Sequence, residues 1–162
     1  MIDEIDAKIL NILQQDARTP NVDVARQLGM APSATLERIR KLEERGVLCG
    51  YTARVSPEAV GLGLLAFVFV RADEAVGGER TARALARIPE AQEVHHIAGE
   101  DCFLVKVRAQ GTGALQHILR ERFGGIKSVR STRTTIVLGT VKESAALPLG
   151  HLERAQQEAA DD

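Results

Sequence analysis

Along the first fifteen residues, apolar side chains recur at Ile5, Ile9, Ile12 and Leu13, which is one stripe of a helix running from about Asp3 to Ala17. Asp3, Glu4 and Asp6 fall in its first turn, where the helix dipole favours negative charge. Thr19-Pro20 opens a second, short helix, with Thr as cap and Pro at the first helical position. That helix turns Val24, Ala25 and Leu28 inward and ends at Gly29, a residue suited to a left-handed terminus. Met30-Ala31-Pro32 re-enters a third helix. Leu36, Ile39 and Leu42 are spaced to form its buried face, and Gly46 stops it after Arg45. With that face inside, Ala34, Glu37, Arg38, Lys41 and Arg45 point outward. VLCGYTARV (Val47–Val55) reads as two short extended pieces around Gly50, the shape of a wing. Ser56-Pro57 breaks the pattern, and the domain boundary is expected between residues 56 and 62.

From Leu64 the period changes. LLAFVFVRA is a continuous apolar strand, and Arg80 to Arg87 is helical until Pro89. AQEVHHIAG and CFLVKVRA are strands joined by a tight GED connection, close enough to pair as a hairpin. A helix from about Ala114 to Phe123 stops at Gly124-Gly125, and VRSTRTTIVLGTV alternates as a long last strand. This order predicts an α+β chain: a winged helix-turn-helix domain joined to a ferredoxin-like βαββαβ antiparallel sheet with both helices on one face. The expected domains are residues 1–55, residues 56–150 and a tail of residues 151–162, with a short helix near Leu152–Ala159. Leu64, Ala66, Val68 and Val70 cannot share a face with Leu65, Phe67 and Phe69, yet both sets are apolar. Helices cover one side, so the sheet of a second copy is the simplest cover for the other, giving a dimer.

Composition adds constraints rather than an identity. Aromatics are only 3% of the chain, so both cores must be aliphatic. Lys plus Arg is 21 and Asp plus Glu is 22, so bulk charge gives no sign of nucleic-acid binding. The acidic residues Glu153, Glu158, Asp161 and Asp162 mask a mildly basic body. A DNA reader of this charge needs a local basic patch in two copies, because phosphate neutralisation supplies much of the affinity. The opening MIDEIDAKIL is acidic and amphipathic, unlike a signal peptide, and no apolar run approaches a membrane span. Cys49 and Cys102 are isolated thiols, which fits a reduced, cytoplasmic protein.

The helix-glycine-helix stretch from Thr19 to Gly46 is the main candidate for chemistry. Ser33 and Ala34 are small enough to let a helix enter the major groove closely, and Arg38 and Lys41 reach phosphates or base edges. His95 and His96 are adjacent on a strand and leave on opposite faces, so they cannot share a metal. Cys102 lacks a positioned base, and no HExxH, P-loop, GxGxxG or paired zinc motif occurs, so neither an enzyme nor a cofactor is expected. The turn Gly99-Glu100-Asp101-Cys102 carries two carboxylates and backbone N–H groups, a pairing that fits an amino-acid ligand.

The segments IDEIDAKILNILQQDAR and NVDVARQLGMAPSATLERIRKLEERGVLCGYTARVSPEAVGLG resemble the N-terminal half of the Lrp/AsnC (feast/famine) transcriptional regulators. GEDCFLVKV, the Arg133-Thr134-Thr135 strand and VLGTVKESAALPL resemble their amino-acid-sensing half, so the likeness spans residues 2–149. It implies a regulator that reads pseudo-palindromic double-stranded DNA, forms dimers through its sheet and gathers dimers into octamers. It also implies modulation by a small effector, often an amino acid. Carried over, the recognition-helix positions are Ser33, Ala34, Thr35, Arg38 and Lys41, with Arg45 on phosphate. The effector positions are Gly99, Glu100, Asp101 and Cys102, with Thr132 and Thr134 on the last strand. The chain departs from the family pattern at Ala31 and Pro20, where Ser is common, and in its Gly-Glu-Asp-Cys turn, where Gly-Asp-aromatic-Asp is common. A rival from another class is an amino-acid-binding sensor whose helical head docks a protein.

Overall fold

The computed structural model describes residues 2–74 and 78–152. The chain divides into a helical unit, residues 1–53 with 143–162, and a sheet unit, residues 54–142.

The helical unit is built from α1 (Glu4–Gln15), α2 (Asn21–Leu28) and α3 (Pro32–Glu44). A capping box starts α1: Asp6 N donates to Asp3 Oδ1 at 2.8 Å, and the Asp3 amide faces the Asp6 carboxylate. The expected Thr19 cap does not form. Its hydroxyl donates to Asp16 O at 2.8 Å, and α2 starts after Pro20 without a side-chain cap. Gly29 closes α2 at φ 65°, a left-handed conformation that costs glycine nothing, and Met30 N then donates to Ala25 O at 2.9 Å. Ile9, Leu10, Leu13, Val24, Ile39 and Leu42 form the core.

The phase of α3 differs from the sequence reading. Thr35 is fully buried and Leu36 is 52% exposed, so the inward stripe is Thr35, Ile39 and Leu42. The Thr35 hydroxyl is satisfied locally by Ala31 O at 3.3 Å, which lets a small polar residue occupy the core. The expected wing is also absent: Val47–Val55 contains no strand, and Val47 and Leu48 pack against the helical core instead. Tyr51 instead donates to Glu43 at 2.9 Å and ties this segment back to α3.

Residues 143–150, expected with the sheet domain, group with the helical unit. The Gln14 amide grips the backbone of Leu147 both ways: Nε2 donates to Leu147 O at 3.2 Å, and Leu147 N donates to Oε1 at 2.6 Å. Leu149 then packs on the helical core. The chain thus leaves the helical unit once and returns to it. Of the expected C-terminal helix, a turn begins at Gly150–Leu152 and the remainder lies outside the described residues.

The sheet unit holds β1 (Leu64–Ala72), α4 (Arg80–Leu85), β2 (Ala91–His96), β3 (Phe103–Ala109), α5 (Thr112–His117) and β4 (Val129–Ile136). Strand order is β2-β3-β1-β4, and every pair is antiparallel, which is the ferredoxin-like arrangement. The second helix does not stay α-helical: Ile118–Phe123 widens into a π-helical stretch in which Gly124 N donates to Leu119 O at 3.0 Å. A Cβ at Gly124 would stand 2.3 Å from Arg120 O, so that exit requires glycine. Ala66, Val68, Val70, Val105 and Val107 pack against Leu85, Leu115, Ile118 and Phe123 as one core. The last strand stops at Ile136 rather than Val141: Ile136 pairs with Ala66, and one further bond, Val137 N to Leu65 O at 2.9 Å, follows it near the start of β1.

Candidate functional site

The outward face of α3 follows from its phase. Counting 100° per residue from the buried stripe, Ser33, Glu37, Arg40, Lys41 and Glu44 stand opposite the core, with Ala34 at their flank. Ser33, Ala34 and Lys41 are exposed, as the sequence reading placed them, and Arg45 is exposed at the end of the helix. Thr35 is not on this face, since its side chain fills the core. Arg38 lies to one side and is occupied: its Nη1 is 2.7 Å from Asp3 Oδ2 and 2.8 Å from Asp6 Oδ1. The Asp6 side chain is only 9% exposed, so Arg38 compensates a nearly buried carboxylate and joins α3 to the first turn of α1. Burial pushes the Asp3 carboxyl up, but the Asp6 amide and Arg38 together hold it below its ordinary value. The Arg38 guanidinium is raised by the same hydrogen bonds.

Arg40, absent from the sequence reading, holds the outward place that had been given to Arg38. The signal was available in the alternative stripe Thr35, Ile39, Leu42, whose i, i+4, i+7 spacing is as helical as the one read from Leu36. Arg40 lies 3.2 Å from Glu37 and 3.5 Å from Glu44, and Lys41 lies 3.5 Å from Glu37. The face therefore carries matched charge, held by exposed pairs that contribute about 0–1 kcal/mol each and yield readily to a phosphate. Beside it, burial and the Glu43 carboxylate push the Tyr51 hydroxyl up to about 12, so it stays a donor.

The second candidate is the β2–β3 connection. Ile97 N donates to Cys102 O at 3.0 Å and closes the turn, with Gly99 at φ 133°. Cys102 N donates to Val70 O at 2.8 Å, which fixes the turn to the end of β1. Both carboxylates of the turn meet guanidinium groups: Asp101 is 2.9 Å from Arg133, and Glu100 is 3.2 Å from Arg71. Arg133 also lies over the Phe69 ring, 4.0 Å from its centroid. Thr132 and Thr134 are not brought into this group. They pair with Val70 and Val68, so their side chains leave on the helix-covered face while Arg133 leaves on the other. The open face also carries Phe67, Leu104 and Lys106, all half-buried. His95 and Glu93 stand there as well, 3.1 Å apart, and His95 and Lys106 draw the Glu93 carboxyl below its usual range.

Among the described residues, no three His, Cys, Asp or Glu side chains converge as a metal site. No helix among them is long and apolar enough to cross a membrane.

Comparison with known proteins matches residues 2–43 to the AsnC-type helix-turn-helix domain and residues 65–147 to the Lrp/AsnC ligand binding domain. The chain is 40% identical over 148 residues to the HTH-type transcriptional regulator FL11 of Pyrococcus horikoshii, covering 91% of this chain and 97% of that one. It is 35% identical to the leucine-responsive regulatory protein of Escherichia coli strain K12, with 90% of each chain covered. A transcriptional regulator of Neisseria meningitidis, solved as a complex with L-Met, superposes with a TM-score of 0.88 at 31% identity, over 94% of this chain and 99% of that one. The relatives are regulators and not enzymes, and the two matched domains coincide with the helices and the sheet described above. The chain belongs to the Lrp/AsnC family of transcriptional regulators.

Proposed function

We propose that this regulator binds pseudo-palindromic duplex DNA in the cytoplasm as a dimer, laying α3 of each copy in a major groove. The observation that carries this is the solvent-facing stripe of α3, with small Ser33 and Ala34 at its N-terminal end and Arg40 and Lys41 along it. Ser33, Ala34 and Glu37 face base edges, while Arg40, Lys41 and Arg45 hold phosphates. Thr35 supports the helix from inside, and Arg38 fixes its angle to α1. The open sheet face, with Phe67, Phe69 and Leu104 half-buried on it, meets the same face of a second copy, and dimers gather into octamers.

An amino acid bound at Gly99–Cys102 modulates this assembly. Glu100 and Asp101 take its ammonium, and backbone N–H groups or Arg133 take its carboxylate. The L-Met carried by the Neisseria relative makes methionine the first ligand to try.

Gel shift against the DNA upstream of the protein's own gene tests the DNA arm. The expected result is a complex whose affinity falls steeply with salt. No complex at any protein concentration favours a head that docks a protein instead. Thermal shift against the twenty amino acids tests the effector arm. A ligand at a hundredfold excess over its Kd stabilises by about 2.7 kcal/mol. If none shifts the transition, the effector arm is lost and the DNA arm stands.

A further inference from the structure

The centre of the outward face of α3 is a carboxylate. Glu37 stands between Ser33, one turn before, and Lys41, one turn after. Its side chain is 46% exposed, and its ion-pair partners Arg40 and Lys41 lie on its own helix, at 3.2 Å and 3.5 Å. If α3 enters a groove, the phosphates draw off Arg40 and Lys41, because charge-assisted contacts to phosphate replace weak exposed pairs. What remains at the middle of the stripe is an acceptor-only group with a negative charge.

Few partners in a groove suit such a group. Phosphates repel it. Guanine presents N7 and O6, both acceptors, and thymine presents O4, also an acceptor. Adenine offers N6–H2 but sets the N7 acceptor beside it, which faces the second carboxylate oxygen. Cytosine offers its N4–H2 donor with no acceptor alongside on the same base, and a carboxylate accepting from it is a recognised pairing.

We infer that Glu37 is a specificity-determining residue: in each half-site it accepts a hydrogen bond from the N4 amine of one cytosine and rejects guanine and thymine at that position. This rests on the DNA-reading role given to α3 above. The competing role for Glu37 is to hold Arg40 and Lys41 in place, and that role has a different signature. A positioning residue changes affinity for all duplexes alike, whereas a base reader changes the preference at one position only.

The test uses the full chain, wild type, Glu37→Gln and Glu37→Ala, with a pool of duplexes randomised across two half-sites, and sequences the bound fraction. Wild type is expected to enrich cytosine at one position per half-site, and replacing that cytosine by thymine should weaken binding about tenfold. Glu37→Gln should move the preference to adenine, whose N6 and N7 match an amide in two bonds. Glu37→Ala should keep salt-sensitive binding and lose the preference. If Glu37→Ala enriches the same sequence as wild type, or wild type binds with no enriched cytosine, the inference is overturned while DNA binding stands. If no form of the chain retains a duplex at low salt, the DNA-reading role fails and takes this inference with it.

Discussion

The outward face of α3 and the open face of the sheet both meet solvent in a single chain, but they are unfinished in different ways. On α3 every basic group of the stripe has an acidic neighbour on the same helix, so the face is electrostatically content and weakly held. On the sheet, Phe67, Phe69 and Leu104 lie half-buried among Arg133, Lys106 and Glu93, while the described helices pack on the opposite face against Ala66, Val68 and Val70. Apolar surface gains from burial whatever the salt, at roughly 25 cal/mol per Å2, while the α3 pairs exchange easily for other charges. A permanent contact suits the sheet face and a reversible one suits the α3 face. That division is what a regulator needs: a fixed pair of readers and a target that can be released.

The largest effect expected from breaking this comparison is on the cores beneath the two faces. Leu42→Ala should cost about 2–5 kcal/mol and strip hydrogen-exchange protection from α1–α3. The amides of β1 and β3 should keep theirs, because Leu42 belongs to the helical core alone. Equal loss of protection in the strands would mean that the two cores melt as one.

Next comes the open face. Phe67→Glu should cost the proposed sheet-to-sheet dimer about 2 kcal/mol or more, since it would set a charge in the middle of that contact. Sedimentation should then report monomer at concentrations where wild type is paired. A variant that remains dimeric would move the interface elsewhere.

Two arginines two positions apart sharpen the reading of the α3 face. Arg38→Ala should destabilise the helical unit by about 1–3 kcal/mol, because Asp6 is left nearly buried without its partner. Arg40→Ala should change stability by no more than about 0.5 kcal/mol. It should nevertheless weaken binding to all duplexes and reduce the salt slope by about one. If Arg38→Ala folds normally but loses sequence preference, the arginine that reads DNA is the one named from sequence.

The smallest effect is on pH. The folded state holds the Asp3 carboxyl below its ordinary 3.8, so folding favours its ionised form. That contribution is complete above about pH 4 and is lost as pH falls through the lower folded value. Between pH 6 and pH 3 the melting temperature of Asp3→Asn should fall less than that of wild type. Parallel curves would assign the acid sensitivity to other carboxylates.

How much was legible depended on how local the deciding interactions were. Gly29, Gly46 and Gly124 end their helices where the sequence put the ends, because backbone conformation at a glycine is a short-range matter. The order of strands and helices was legible from the change of period at Leu64 and the breaks at Pro89 and Gly124-Gly125. The phase of α3 was missed because polarity favours Leu36 over Thr35 as the inward residue. Only the neighbouring Ala31 carbonyl makes Thr35 acceptable inside. The wing was expected and does not form, for the opposite reason: Val47–Val55 has strand-like residues, but a strand needs a partner as well as a propensity. Within the rim cluster, Gly99–Cys102 was legible as a turn with carboxylates. That Arg71 and Arg133 answer those carboxylates, and that Thr132 and Thr134 turn away, depends on strand register.

By itself, then, the sequence determined the main helices and strands, their order, the family, and the existence of an amphipathic third helix and a first strand apolar on both faces. These follow from periodicity and from turn residues, whose energetics act within a few positions of the chain. Only the tertiary structure decided that Arg38 pairs with Asp3 and Asp6 while Arg40 faces outward, and that residues 143–149 return to the helical unit through Gln14 and Leu149. Those outcomes turn on which distant groups share one small volume, as Asp6 does with Arg38 and Leu147 with Gln14, and residue spacing carries no direct record of that.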